Sequence, residues 1–234
     1  MDVRSNYPTP TDTTQPTAPP APATGSAVGA TVERFLPLAG VAFAVLTIVG
    51  TLTVDAFPDE ATPVRQLVRY YAGHHAQVGR GGELMEYAGV FLGLFGAALW
   101  LRARAVHPAL GAVALIGAAV ATTQQVTENA SYASLGQIGG LSTTTPEALQ
   151  AWHFAGALGQ VDIGVPLLLL AAGLVGVTGT TVPRWLGWAA LVLAVGSFTP
   201  LAFFASLLFV LWALVAGIVL TVRRPDAGTT SASH

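Results

Sequence analysis

Residues 108–135 read PALGAVALIGAAVATTQQVTENASYASL, and this stretch decides the fold. A helix of roughly 20 apolar residues crosses the ~30 Å hydrocarbon core of a bilayer, so the stretch is long enough to be a membrane span. Its second half nevertheless carries Glu128. A charged side chain in hydrocarbon costs at least about 2.5–3.5 kcal/mol, and such a residue is by default a candidate functional group. The stretch therefore predicts a span with a functional carboxylate.

The composition of the whole chain also indicates a membrane protein. Of its 234 residues, 53% are hydrophobic and 9% are charged, whereas soluble domains carry about 25% charged residues. The formal net charge of −2 gives no argument for binding nucleic acid. The absence of Cys excludes disulfides, thiolate nucleophiles and iron–sulfur clusters, and the absence of Lys excludes Schiff-base chemistry.

Six stretches are apolar and long enough to predict an all-α, polytopic transmembrane helix bundle with six spans in the lipid bilayer. They are residues 35–55, 82–101, 108–135, 147–177, 184–199 and 201–222. Five spans remain an alternative, because Thr199-Pro200 alone separates the last two. In the second stretch, Gly89 and Gly93 form a G-xxx-G pair that favours a close helix approach without identifying the partner helix.

The segments outside the membrane differ in character. Residues 1–30 are rich in Pro, Thr and Ala and are predicted to be a disordered tail, as are residues 225–234, leaving a membrane domain at 31–224. Arginines near the span ends favour one side, which predicts that both termini are cytoplasmic in a multi-pass protein of the cell membrane. That side holds Arg34, Arg102, Arg104, Arg184, Arg223 and Arg224; the opposite side holds Arg65, Arg69 and Arg80.

The external connection at residues 57–81 is predicted to contain a short amphipathic helix. Thr62-Pro63 is a typical helix start, with the hydroxyl as cap, and Gly73 is a typical end. Apolar residues follow helical spacing between them. This helix either lies on the outer membrane surface or caps a cavity.

Polar residues in the third and fourth stretches predict an outward-facing pocket. Gln125, Glu128, Asn129 and Tyr132 are spaced to share one helix face, with Glu128 about 10 Å inside the outer end of its span. The fourth stretch begins on the same side at Thr145-Pro146, so the two are expected to be antiparallel neighbours, with His153 facing Glu128. The predicted ligand-binding residues are Glu86, Gln125, Glu128, Asn129, Tyr132, His153 and Gln160.

Asp162 does not join this face on an ideal helix. Pro166 removes the hydrogen bond to the Asp162 carbonyl, so a kink there could turn Asp162 inward.

Three functions stay open for these residues. They could bind or transport protons or a small polar ligand, because a desolvated Glu beside a His suits proton exchange. They could hold helices together by hydrogen bonds in a structural or partner-binding subunit. The third possible function is that of an enzyme or metal protein, although no E-x-x-H spacing lies on any span. No cofactor or catalytic residue is predicted.

Several short motifs resemble a known family. They are Val182-Pro183-Arg184-Trp185-Leu186-Gly187-Trp188, Tyr70-Tyr71-Ala72-Gly73-His74, and a final span with Leu211-Trp212 that ends in Arg223-Arg224. Together they resemble small six-span bacterial membrane proteins catalogued as a domain of unknown function, over about residues 35–224. The resemblance implies a six-helix integral membrane protein and supplies no activity, substrate or catalytic residue.

Overall fold

The computed structural model describes residues 26–54, 58–59, 61–104, 106–141, 144–158, 163–179 and 182–223. Within these residues the chain forms helices and no strand. The helices are α1 (Ser26–Phe35), α2 (Leu38–Thr53), α3 (Val64–Ala103), α4 (Pro108–Gly139), α5 (Pro146–Leu158), α6 (Gly164–Thr178), α7 (Arg184–Gly196) and α8 (Ala202–Val222). The predicted all-α class is therefore confirmed for this part of the chain.

Four helical segments in the described ranges are long and apolar enough to cross a membrane. They are Thr31–Thr53, Val64–Ala103, Pro108–Gly139 and Ala202–Val222. The apolar helices α6 and α7 have 15 and 13 residues, which gives lengths of about 22 and 20 Å. The chain is thus a helical protein with several helices of membrane-spanning length, but the predicted count of six full spans is not supported.

The fourth predicted stretch differs most from its expectation. Instead of one helix over 147–177, α5 ends at Leu158 and α6 begins at Gly164. Pro166 occupies the first turn of α6. Proline fits the first turn of a helix, where its missing N–H is no loss, and it disrupts a helix that continues from before it.

The helix α3 is longer than predicted, because it continues without interruption from the external connection into the second span. It has 40 residues and a length of about 60 Å, twice the thickness of the hydrocarbon core. The prediction that Gly73 ends a separate short helix is wrong. A glycine inside a helix costs only about 1 kcal/mol, and buried contacts of Tyr71 and Val78 on either side of it hold the helix together.

The first half of α3 is more polar than the second half. Arg65, Arg69 and Arg80 are all exposed in this half, and charged side chains are costly in lipid. The second half carries the apolar window that makes α3 a candidate span. Most of the predicted polar connection is therefore part of the same helix as the second predicted span.

The helices α3 and α4 pack antiparallel along most of their lengths, and small residues set their distance. A Cβ atom on Gly82 would lie 2.5 Å from the Ala133 nitrogen, and one on Gly89 would lie 2.8 Å from Val126 Cγ2. Nearer the start of α3, Gly79 and Gly136 meet backbone to backbone. The predicted close approach at Gly89 and Gly93 is confirmed, and the partner is α4.

Buried apolar side chains form two separate clusters. The larger one, the membrane core, joins α2, α3, α4, α6, α7 and α8; it includes Phe43, Leu92, Phe95, Leu168, Trp212 and Leu220. The smaller one, the outer cluster, surrounds the first half of α3; it consists of Val54, Leu67, Tyr71, Val78, Leu135 and Leu149.

Most of the predicted tails lie outside the described residues, which begin at 26 and end at 223. The helix α1 begins at Ser26, so the predicted boundary at residue 30 falls inside a helix. The sequence there is Ser-Ala-Val-Gly-Ala, and its alanines favour helix.

Candidate functional site

A buried histidine next to the outer cluster joins three parts of the chain. His153 on α5 is 5% exposed. Its Nδ1 lies 3.0 Å from the hydroxyl oxygen of Tyr71 on α3, and its Nε2 lies 3.4 Å from the carbonyl oxygen of Asp59, before α3. The two rings also meet edge to face, with centroids 6.1 Å apart. One imidazole therefore ties α5 to α3 and to the connection that precedes it.

The chemistry of the two partners determines the protons on this ring. The carbonyl oxygen of Asp59 can only accept a hydrogen bond, so Nε2 carries a proton. In the neutral ring, Nδ1 then accepts from the Tyr71 hydroxyl. In the imidazolium, Nδ1 also carries a proton and donates to the Tyr71 oxygen after the hydroxyl has rotated. The arrangement can therefore keep both hydrogen bonds with or without the second proton.

The segment before α3 is held in position by Asp59. Its carbonyl oxygen accepts from the Thr62 N–H at 3.0 Å, and its Oδ1 accepts from the Thr62 hydroxyl at 2.8 Å. The predicted capping of α3 by Thr62 is wrong, because the hydroxyl is used in this turn. Pro63 takes the N-cap position, with no side-chain cap hydrogen bond. The acceptor of His153 is therefore part of a fixed turn.

One side of the predicted polar face of α4 points toward α3. Gln125 and Asn129 follow the same row as Thr122 and Ala133, which contact the α3 glycines. Asn129 is 3% exposed, and its Nδ2 donates to the Gln125 carbonyl at 2.7 Å. The register of the helix pair puts Glu86, one turn after Gly82, at the level of Asn129. Glu86 is partly buried.

The other side of the polar face continues a row of residues that contacts α6. Gly117 packs against Leu168, and Ala121 packs against Gly164. One turn later, Gln124 Oε1 accepts from the Gly164 N–H at 3.3 Å. Gly164 is the first residue of α6, so Gln124 supplies an acceptor for one of the N–H groups that a helix start leaves unpaired.

Glu128 follows Gln124 by one turn on this row. It is partly buried and makes a specific polar interaction. Because Gln124 meets the first residue of α6, Glu128 lies next to the level at which α6 begins. The carboxylate is thus near the junction between the membrane core and the outer cluster.

The structure separates the predicted pocket residues into groups. Gln125, Glu128, Asn129 and Tyr132 share a face of α4 as predicted, but that face lies over the seam between α3 and α6. Tyr132 packs against the outer cluster. His153 is hydrogen-bonded to Tyr71 and Asp59, whereas the neighbour predicted from the sequence is Glu128. Gln160 and Asp162 lie outside the described residues. The pocket as a whole stays a prediction.

Three residues of this arrangement are not among the predicted site residues: Asp59, Tyr71 and Gln124. Tyr71 carried a usable signal, since it falls on the apolar face of its helix and a buried tyrosine hydroxyl needs a partner. The acceptor role of Asp59 had no such signal, because it belongs to a main-chain carbonyl. Gln124 contacts α6, whereas Gln125 contacts α3, and the sequence does not specify which helix each residue meets.

Comparisons with protein-family models, with curated proteins and with solved structures each find no match for this chain. The described residues also contain no group of three or more His, Asp or Glu side chains placed to hold a metal ion.

Proposed function

We propose that the chain is a multi-pass membrane protein with a protonatable polar site in its outward half, which binds protons or a small polar ligand. The observation that supports this most is the placement of His153. A buried imidazole is bonded through both nitrogens to neutral partners, and these partners can serve either protonation state. Histidine is the side chain whose charge changes most readily near neutral pH.

The neighbourhood of Glu128 supports the same proposal. A half-buried carboxylate lies near the level at which α6 begins, and membrane proteins place ionisable groups at such interruptions when they bind ions or substrates. Glu86 occupies the same level on α3. The site would therefore extend from Glu128 outward to His153.

We also propose six crossings with both termini in the cytoplasm. In this arrangement α5 and α6 together make one crossing and the short helix α7 makes another. The packing of α7 along α6, with Gly176 against Gly187, supports counting α7 as part of the membrane bundle. This count agrees with the resemblance to six-span bacterial membrane proteins.

Proton movement in reconstituted vesicles tests the proposal. The full chain is placed in vesicles that contain a pH-sensitive dye, and an outside-acid pulse is applied. We expect proton uptake that falls at least tenfold in Glu128→Gln and in His153→Gln. The matched control is His75→Gln, since His75 is exposed and bonds to the carbonyl of Ala72 on its own helix.

Binding is followed in parallel, because a protein that binds protons without transporting them gives no uptake. Proton release or uptake on mixing with buffer of another pH is measured for the same variants in detergent. The proposal fails if the protein and both variants are indistinguishable in both assays while remaining folded.

A structural subunit is the second candidate function, and one hydrogen bond between helices favours it. Gln124 on α4 accepts from the N–H of Gly164 at the start of α6. Polar groups used in this way pack helices together. This alternative predicts that Glu128→Gln and His153→Gln lower the stability of the detergent-solubilised protein and change no proton or ligand response.

A further inference from the structure

The helices α7 and α8 leave an apolar groove on the outside of the bundle. Its volume is about 400 Å³, within the range of small-molecule pockets. Side chains from both helices line it: Trp185, Ala189 and Leu193 from α7, and Leu208, Leu211 and Val215 from α8. The groove runs along a helix that is long and apolar enough to cross a membrane, so it opens toward hydrocarbon.

The lining offers little to a polar ligand. Trp212 also lines the groove, but its indole Nε1–H already donates to the Leu186 carbonyl at 3.1 Å. The remaining lining side chains are aliphatic or aromatic, and several are well exposed, such as Trp185 at 56% and Leu211 at 49%. The occupant must therefore be apolar along most of its length.

A second membrane helix fits this groove poorly. Helices approach each other in lipid through small residues, as α3 and α4 do. The exposed edges of the groove carry Trp185, Leu208 and Leu211. Bulky edges of this kind suit a flexible chain better than a second helix.

One end of the groove is basic. Arg184 is the first residue of α7 and directly precedes Trp185, which lines the groove. Arg223 directly follows α8, about 12 Å along the helix beyond the lining residue Val215. Both arginines are exposed. Within the described ranges, neither forms an ion pair with a carboxylate. The guanidinium of Arg102 at the same end donates to the Leu220 carbonyl. Exposed Trp185 and Trp188 beside these arginines are typical of the level of lipid headgroups.

We propose that the groove binds one acyl chain of an anionic phospholipid, with the phosphate of its headgroup at Arg184. The apolar lining would hold the chain, and Arg184, which forms no ion pair with a described carboxylate, would select a lipid with net negative charge over a zwitterionic one. This inference does not depend on the site around His153.

Quenching of tryptophan fluorescence tests the proposal. The full chain is reconstituted in phosphatidylcholine vesicles that contain increasing fractions of lipid with brominated acyl chains, carried on either phosphatidylglycerol or phosphatidylcholine. Subtracting the signal of Trp185→Phe isolates the emission of Trp185. We expect half-quenching at about a fivefold lower fraction of the anionic lipid, the effect of roughly one basic residue at a membrane surface.

Two variants locate the effect. Arg184→Gln should abolish the fivefold preference, and the control Arg65→Gln should keep it, because Arg65 is an exposed arginine at the opposite end of the molecule. Ala189→Phe fills the groove and should raise the lipid fraction needed for half-quenching at least threefold. Ala112→Phe, on an exposed position of α4, should not.

Equal quenching by the two headgroups would overturn the proposal, because it would show ordinary contact with surrounding lipid. Loss of the preference in Arg65→Gln as well as in Arg184→Gln would also overturn it. The proposal would also be overturned if Ala189→Phe left the quenching unchanged. A Trp185 that no brominated lipid reaches would indicate that a second copy of the chain covers the groove.

Discussion

The membrane core and the outer cluster are held together by different interactions. In the membrane core, small residues bring backbones together, as where Gly96 meets Ala118, and aromatic rings fill the remaining space, with Phe95 and Trp212 at 5.9 Å between centroids. At the outer cluster, helices also approach closely, as where Gly79 meets Gly136, but Tyr71 and His153 are buried there with a hydrogen bond between them. The core thus depends on shape, whereas the outer cluster depends on both shape and satisfied polar groups.

The glycines of α3 test the importance of shape most strongly. Gly82→Ala puts a Cβ 2.5 Å from the Ala133 nitrogen, so the helices must separate, and we expect a loss of about 2–3 kcal/mol in unfolding free energy. Gly73→Ala is the matched control, because a Cβ there meets nothing within 4 Å, and it should stabilise by up to about 1 kcal/mol. Unfolding in a mild detergent titrated with SDS measures both. Equal effects would show that α3 and α4 do not approach closely.

Tyr71→Phe tests the polar contribution to the outer cluster. The ring remains, but Nδ1 of buried His153 loses its partner, which costs about 1–2 kcal/mol. Hydrogen exchange followed by mass spectrometry should show faster exchange in α5 and in the first half of α3, with no change in α8. Tyr87→Phe, on an exposed residue of the same helix, should change neither. Faster exchange throughout the molecule would contradict the separation into two clusters.

Gln124→Leu tests the junction between the two regions. The Gly164 N–H loses its acceptor at the start of α6, and we expect a loss of about 1 kcal/mol, seen as faster exchange in the first turn of α6. The neighbouring Thr123→Val should be nearly neutral, since this exposed hydroxyl bonds to the Ala119 carbonyl of its own helix. Similar exchange rates in the two variants would show that Gln124 does not stabilise the start of α6.

The smallest effect is expected at the surface. Arg104 Nη2 and Glu33 Oε1 are 4.0 Å apart, with both side chains about half exposed. Glu33→Gln should change the unfolding free energy by less than about 0.5 kcal/mol, and less still at high salt. A larger loss would mean that α1 contributes to the membrane core.

Much of the helical architecture could be predicted from the sequence, because apolar stretches between polar turns are a local property. This pattern gives the start of α4 at Pro108. It also gives the separation of α7 from α8 at Thr199-Pro200. The continuity of α3 through Gly73 could not be predicted, since it depends on burial of Tyr71 and Val78 against other helices. The presence of Pro166 indicates a disturbed helix, but the start of a new helix at Gly164 could not be predicted from it.

The candidate site was predicted less completely. Periodicity placed Gln125, Glu128 and Asn129 on one face of α4, which is correct. It could not show that this face covers the seam between two helices, because the rotation of a helix relative to its neighbours depends on tertiary packing. His153 is a predicted pocket residue, but its partners are Tyr71 and a main-chain carbonyl, and neither is among the predicted site residues.

Water access to Glu128 tests the central claim most directly. The chain has no cysteine, so Glu128→Cys introduces a unique thiol without any background substitution. In intact cells, a membrane-impermeant maleimide should label this cysteine from outside, whereas Val120→Cys, on an exposed apolar position of the same helix, should stay unlabelled. Absence of labelling at Glu128→Cys in folded protein, or labelling only from the cytoplasmic side, would contradict an outward-facing polar site.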